Sequence, residues 1–138
     1  MQKTFLSPHF TLEELTTTKT GISNLPNDSD INQLRHLCRD ILEPLRLIIG
    51  CPLIVDSGFR SQAVNEAVGG VPTSQHLLGQ AADIHSSAPI SRIWDALNSL
   101  VINGSLNIGQ CIWYRKSKFI HVSLPTPTLE NDFMKLDK

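Results

Sequence analysis

The chain has 138 residues, a length that suits one domain around one core. Hydrophobic residues make up 41% and charged residues 18%, which excludes a disordered chain, and a formal net charge of −1 excludes the basic field that nucleic-acid binders carry. No apolar run approaches the ~18 residues that a membrane-spanning helix needs, so neither nucleic acid nor membrane insertion is expected.

Residues 1–27 read as an irregular arm with one short helix, N-capped by Thr11 before LEEL. The opening MQKTFLSPHFTLEEL has one lysine and no apolar centre. It is unlike a secretory signal, and synthesis in the cytoplasm is expected. Next, DINQLRHLCRDILEPLRLII sets Ile31, Leu34, Cys38, Ile41, Leu42, Leu45, Ile48 and Ile49 at helical spacing. Asp30 with Gln33 forms a loose capping box, Pro44 should kink or divide the helix, and Gly50 should stop it. Cys38, Cys51 and Cys111 are odd in number and match no zinc-knuckle spacing, so they read as buried free thiols of a reduced compartment.

PLIVDSGFR predicts a buried strand running into a polar turn, and SQAVNEAVGG a short helix stopped by two glycines. QAADIHS is strand-like, and APISRIWDALNSLV is an amphipathic helix with Ser87 as its cap. GQCIWY and KFIHVSL form a β-hairpin across the basic turn Arg115-Lys116-Ser117-Lys118. From Pro125 onward, two prolines and several charges read as a surface strap or loose end. Helices first and a hairpin last predict an α+β fold with a small, mostly antiparallel sheet, in a single domain over residues 1–138.

The chemistry lies in TSQHLLGQAADIH, residues 73–85, and in the last strand. Side chains two apart on a strand share a face. In KFIHVSL, Ile120, Val122 and Leu124 point to a core, while Phe119, His121 and Ser123 point to a groove. Asp83 and His85 share a face of QAADIHS, and Gly79 lets the chain turn so that His76 approaches Asp83. Two imidazoles and a carboxylate around an open fourth position are the ligand set of a catalytic zinc site. Spacing alone leaves ordinary hydrogen-bonded histidines as the alternative, the role given to His9 and His36. His85 either supports the site from behind or faces solvent.

SGFRS at 57–61, NEAVGGVPTSQHLLGQAAD at 65–83 and FIHVS at 119–123 resemble the zinc D-alanyl-D-alanine carboxypeptidase family. That family has the hedgehog/DD-peptidase fold and includes phage endolysins that cut peptidoglycan cross-link peptides. Ser74-x-His76-x-x-Gly79-x-Ala81-x-Asp83 fits its principal motif, and the likeness runs from FTLEEL through ILEPLR to IHVSL. The chain is similar to the short phage and prophage forms. The resemblance implies one Zn2+ per chain, held by His76, Asp83 and His121. It also implies that Arg60 faces a substrate carboxylate or carbonyl, and that Ser74 borders the metal and fixes the loop or the substrate backbone. The expected partner is a peptidoglycan peptide, the expected place of action the bacterial cell wall, and the expected state a monomer.

One departure stands out. The better-known members carry Asp or Glu three residues before the last histidine ligand, as general base; here that residue is Lys118. Stand-ins are His85 and Gln110, or Asp56 or Glu66 brought in by a loop. The expectation is a zinc-dependent peptidase acting on stem or cross-link peptides as a carboxypeptidase or endopeptidase. The alternative is a zinc-stabilised peptidoglycan-binding module, and a third reading is a structural zinc with His85 as fourth ligand.

Overall fold

Residues 2–138 are described by the structure, a computed structural model; Met1 lies outside the described residues. The arm is less irregular than its sequence predicts. Strands β1 (Phe5–Ser7) and β2 (Phe10–Thr11) pair antiparallel, and Leu6 and Phe10 are buried in the core. Thr11 then caps α1 (Leu12–Leu15): its hydroxyl accepts from the Glu14 N–H while the Glu14 carboxylate accepts from the Thr11 N–H.

Helix α2 (Asp28–Leu37) starts earlier than the Asp30–Gln33 pairing suggests. Asn27 is the cap, accepting from the Asp30 N–H, and Asp30 reaches back to the Asn27 N–H. That reciprocal pair satisfies the first turn and frees Gln33 to accept from the Gln80 side chain at 3.3 Å. Pro44 leaves its mark just upstream. It has no N–H for the Asp40 carbonyl, so Cys38–Leu42 widens into a π turn in which the Glu43 N–H reaches back five residues to Cys38. Helix α3 (Glu43–Ile49) follows and ends at Gly50 in a left-handed conformation.

Strands β3 (Leu53–Ser57), β4 (Ala81–Ser86), β5 (Gln110–Tyr114), β6 (Phe119–Ser123) and β7 (Asp132–Leu136) form one sheet in the order β3-β4-β6-β5-β7. Every pairing is antiparallel except β5 with β7. The fold is thus α+β with a mostly antiparallel sheet. The segment expected as a loose strap supplies β7, because Phe133 has a place to pack. Its ring meets Trp94 edge-on at 5.4 Å, and Lys135 lies over the Trp94 and Trp113 rings at 5.3 and 5.1 Å.

One sheet face is apolar: Ala82 and Ile84 of β4, Ile120 and Val122 of β6 and Cys111 of β5 are wholly buried. Against β4 and β6 lies α5 (Ile90–Ile102), presenting Ile93, Leu97 and Leu100. Each such Leu or Ile contributes about 1.5–3 kcal/mol relative to exposure. The α5 cap differs from expectation: Pro89 sets the entry with no side-chain bond, and the Ala88 N–H bonds to Ser86 rather than leaving Ser87 as cap. Helix α4 (Gln62–Ala67), capped by Ser61, lies between β3 and β4 in sequence. Burial pushes the Cys38 thiol up to about 12, with the nearby Glu43 and Glu14 charges adding to it. All three cysteines are free thiols.

Candidate metal centre

The sheet's other face carries the polar residues. Asp83 of β4 and His121 of β6 are direct cross-strand partners, and His121 in turn faces Ile112 of β5. His76 arrives from outside the sheet, on a single 3-10 turn, Gln75–Leu78. The Ser74 hydroxyl starts that turn by accepting from the His76 N–H at 3.2 Å. Gly79 ends it at φ +72, where an added Cβ would lie 2.5 Å from the Asp30 carbonyl oxygen. Only glycine supplies both the handedness and the clearance, so the turn back into β4 depends on it.

The three side chains converge. Asp83 Oδ1 lies 3.2 Å from His76 Nε2 and 2.9 Å from His121 Nδ1. One donor atom from each residue fits within 4.8 Å of the others, and no other such group of His, Cys, Asp or Glu is found among the described residues. His76 Nδ1 donates to the Gly58 carbonyl at 2.6 Å, since a carbonyl can only accept. A neutral His76 therefore turns the lone pair of Nε2 toward a carboxylate oxygen. Two acceptors at that distance need a cation between them, either a proton, which makes the ring a donor to Asp83, or a metal ion. The separations resemble the about 3.3 Å expected between tetrahedral ligands at zinc bonds of ~2.0 Å. The donor set and its spacing fit a zinc ion.

Asp83 is nearly enclosed. Burial would raise its carboxyl pKa, but hydrogen bonds to His121 and His76, and their charge, hold it well below the usual carboxylate range. Arg60 donates to the other oxygen, Oδ2, at 3.2 Å.

The family model described as Peptidase M15 matches residues 8–123. The chain belongs to the peptidase M15 family. M15 peptidases are zinc-dependent, in keeping with the donor set. No curated protein matches the chain.

Around the trio of this M15 chain opens a cleft of about 820 Å³, bordered by Arg60, Ser74, Gln110 and Tyr114 among others. Its lining includes Thr126, Thr128 and Leu129, which lie beyond the last residue of the family match. Arg60 is engaged at all three guanidinium nitrogens: with Ser57 at 3.0 Å, Asn65 at 3.3 Å and Asp83. It ties the turn to the sheet, and its side chain still lines the cleft. Gln110 faces the cleft while its amide donates to Asp132 at 3.0 Å.

His85 is absent from the cleft lining, and its Nδ1 lies 2.8 Å from Asp56 Oδ2. That pair takes up both residues. Glu66 borders a neighbouring groove instead, and Lys118 lies in the β5–β6 turn at φ +60. Asp83 is thus the one carboxylate side chain lining the cleft among the described residues. Two residues with bearing on the site escape a reading of the motifs. Tyr114 shares the cleft face with Gln110 and Ile112, as the period of two along β5 implies. Asn65 is buried, accepts from Arg60 and donates to the Val71 carbonyl at 2.9 Å. It opens the motif segment 65–83, but its role does not show there, because its partners lie in separate turns.

Proposed function

We propose that this M15 chain is a zinc peptidase that hydrolyses a bond in peptidoglycan stem or cross-link peptides, of carboxypeptidase or endopeptidase type, akin to phage endolysins. His76, Asp83 and His121 would hold one zinc ion. The observation that carries the reading is a three-ligand cluster lying in a cleft large enough for a peptide. A structural zinc would need a fourth ligand; no fourth His, Cys, Asp or Glu joins the trio among the described residues, and His85 is turned to Asp56.

When bound, zinc supplies Lewis acidity, polarising a peptide carbonyl and making water acidic enough to attack near neutral pH. The chain's own groups prepare the site. Gly58 fixes the His76 tautomer, so that Nε2 faces the cluster. Arg60 holds Asp83 Oδ2, leaving Oδ1 toward the imidazoles. Ser74 fixes the turn that delivers His76.

A second reading keeps its place because of one observation. Asp83, already committed to the trio, is the one carboxylate side chain lining the cleft among the described residues, so no spare Asp or Glu is there to shuttle a proton. A zinc-stabilised peptidoglycan-binding module would have no need of one. Peptide release from purified peptidoglycan separates the readings, with zinc-loaded protein compared against chelated protein and His121→Ala. Zinc-dependent release supports the peptidase, and product masses name the bond. Zinc uptake and wall binding without release support the module.

A further inference from the structure

Several of the cleft's polar side chains are already spent on partners within the protein. Gln75 donates to Gln80 and to the Leu124 carbonyl, Gln110 to Asp132, and Arg60 to three partners. Tyr114 is not so spent, and unlike the similarly unengaged Thr73, Thr126 and Thr128 hydroxyls it stands on the sheet itself. Its hydroxyl has no hydrogen-bond partner among the described residues, although the side chain is half-buried and lines the cleft. The ring is stacked on Phe119 with centroids 4.5 Å apart and planes 18° from parallel. It stands two residues along β5 from Ile112, the cross-strand partner of His121, and so on the face that carries the trio. Burial and the Asp83 charge push its phenol up, with Arg60 opposing them; it is a protonated donor at neutral pH that feels both residues.

We propose that Tyr114 is a catalytic residue of this site, its hydroxyl donating a hydrogen bond to the carbonyl oxygen of the scissile peptide. This rests on the peptidase reading above. As the oxygen of water bonds to the carbonyl carbon, negative charge develops on that carbonyl oxygen. The C–N bond then breaks, the amine leaves with a proton that came from the water, and Tyr114 keeps its own proton. A fixed donor strengthens as that charge grows, and the Phe119 stack holds the ring in place before substrate arrives.

Tyr114→Phe keeps the ring and its stack and removes only the hydroxyl. Zinc-loaded wild type and variant would be compared for binding of a phosphinate dipeptide isostere, whose tetrahedral oxygens imitate the developing charge, and for peptide release. The expected result is isostere binding weaker by roughly tenfold or more and kcat lower by about 10²-fold, with KM and zinc content within about twofold. Equal isostere affinity in the two proteins overturns the role of Tyr114 alone. A wild type that takes up zinc yet neither binds the isostere nor releases peptide overturns the peptidase reading, and the role of Tyr114 with it.

Discussion

The Gly58 carbonyl accepts a hydrogen bond from His76 Nδ1 at 2.6 Å, and this bond dictates that Nε2 of the neutral ring presents a lone pair to Asp83 Oδ1. The site is built to receive a cation, and metal should stabilise the fold. At free zinc a hundred times the Kd, linkage gives about 2.7 kcal/mol, or a rise of roughly 8 °C in Tm. Thermal melts with zinc and with chelator check this. His76→Ala and His121→Ala should show no such rise and no stoichiometric zinc; an unchanged rise in both would remove these residues as ligands.

Arg60 acts on Asp83 through a planar fork spread over three acceptors, which a lysine cannot reproduce. Arg60→Lys should weaken zinc binding by about 10–100-fold, as expected for a partner that orients a ligand. Chelator competition measures it. An affinity equal to wild type would show that the charge alone suffices.

Gly70 is packed against Asn65: an added Cβ would lie 2.0 Å from the Asn65 Oδ1. Gly70→Ala should push the amide off both Arg60 and the Val71 carbonyl, loosening the loop that leads to Ser74 and His76. Asn65→Ala removes the same two bonds directly, leaving the Val71 carbonyl with the Ser74 N–H alone, at a cost of about 1–3 kcal/mol for the pair of bonds. Urea unfolding should find the two variants destabilised together, and the double variant little worse than either. Additive losses would mean that the residues act separately.

Far from the cleft, Glu43 accepts from the His9 backbone N–H at 2.8 Å and lies 2.7 Å from its Nδ1. Burial would raise the Glu43 carboxyl pKa, but contacts with Ser7 and His9 outweigh it and hold the group below its ordinary 4.5. A depressed carboxyl stabilises the fold above that ordinary value, and the contribution fades as pH falls through the folded one. Glu43→Gln should therefore cost about 1 kcal/mol at neutral pH, His9 being exposed and screened, and almost nothing in strong acid. Denaturant melts across that window test the convergence.

Much of this architecture could be read from residue types alone, for identifiable reasons. Thr11-x-x-Glu14 and the alternation in KFIHVSL are local signals, and local signals survive folding. The trio needed more: His76 and Asp83 are near in sequence, but His121 joins them only through the β4–β6 pairing, which a single strand cannot announce. The motif resemblance supplied that link. Strand β7 was hidden because Pro125, Pro127 and the charges around it outweigh a five-residue pattern whose packing partners, Trp94 and Trp113, lie on other elements. The fate of His85 was equally non-local. It was settled by Asp56 on β3, whose register against β4 is irregular between Val55 and Ser57.

Asp83 and His121 sit directly opposite each other on neighbouring strands, and that has a consequence for how the sheet assembles. Slipping β6 by one residue would set Ile120 or Val122 against Asp83 and drive the imidazole into the apolar layer. A slip of two restores the face but carries His121 away from its place opposite Asp83, so the native pairing alone sets the two ligands side by side. A bound cation thus discriminates between alignments that backbone hydrogen bonds alone barely distinguish. A bound ion would favour the native alignment, because a chain with misaligned strands lacks the full ligand set.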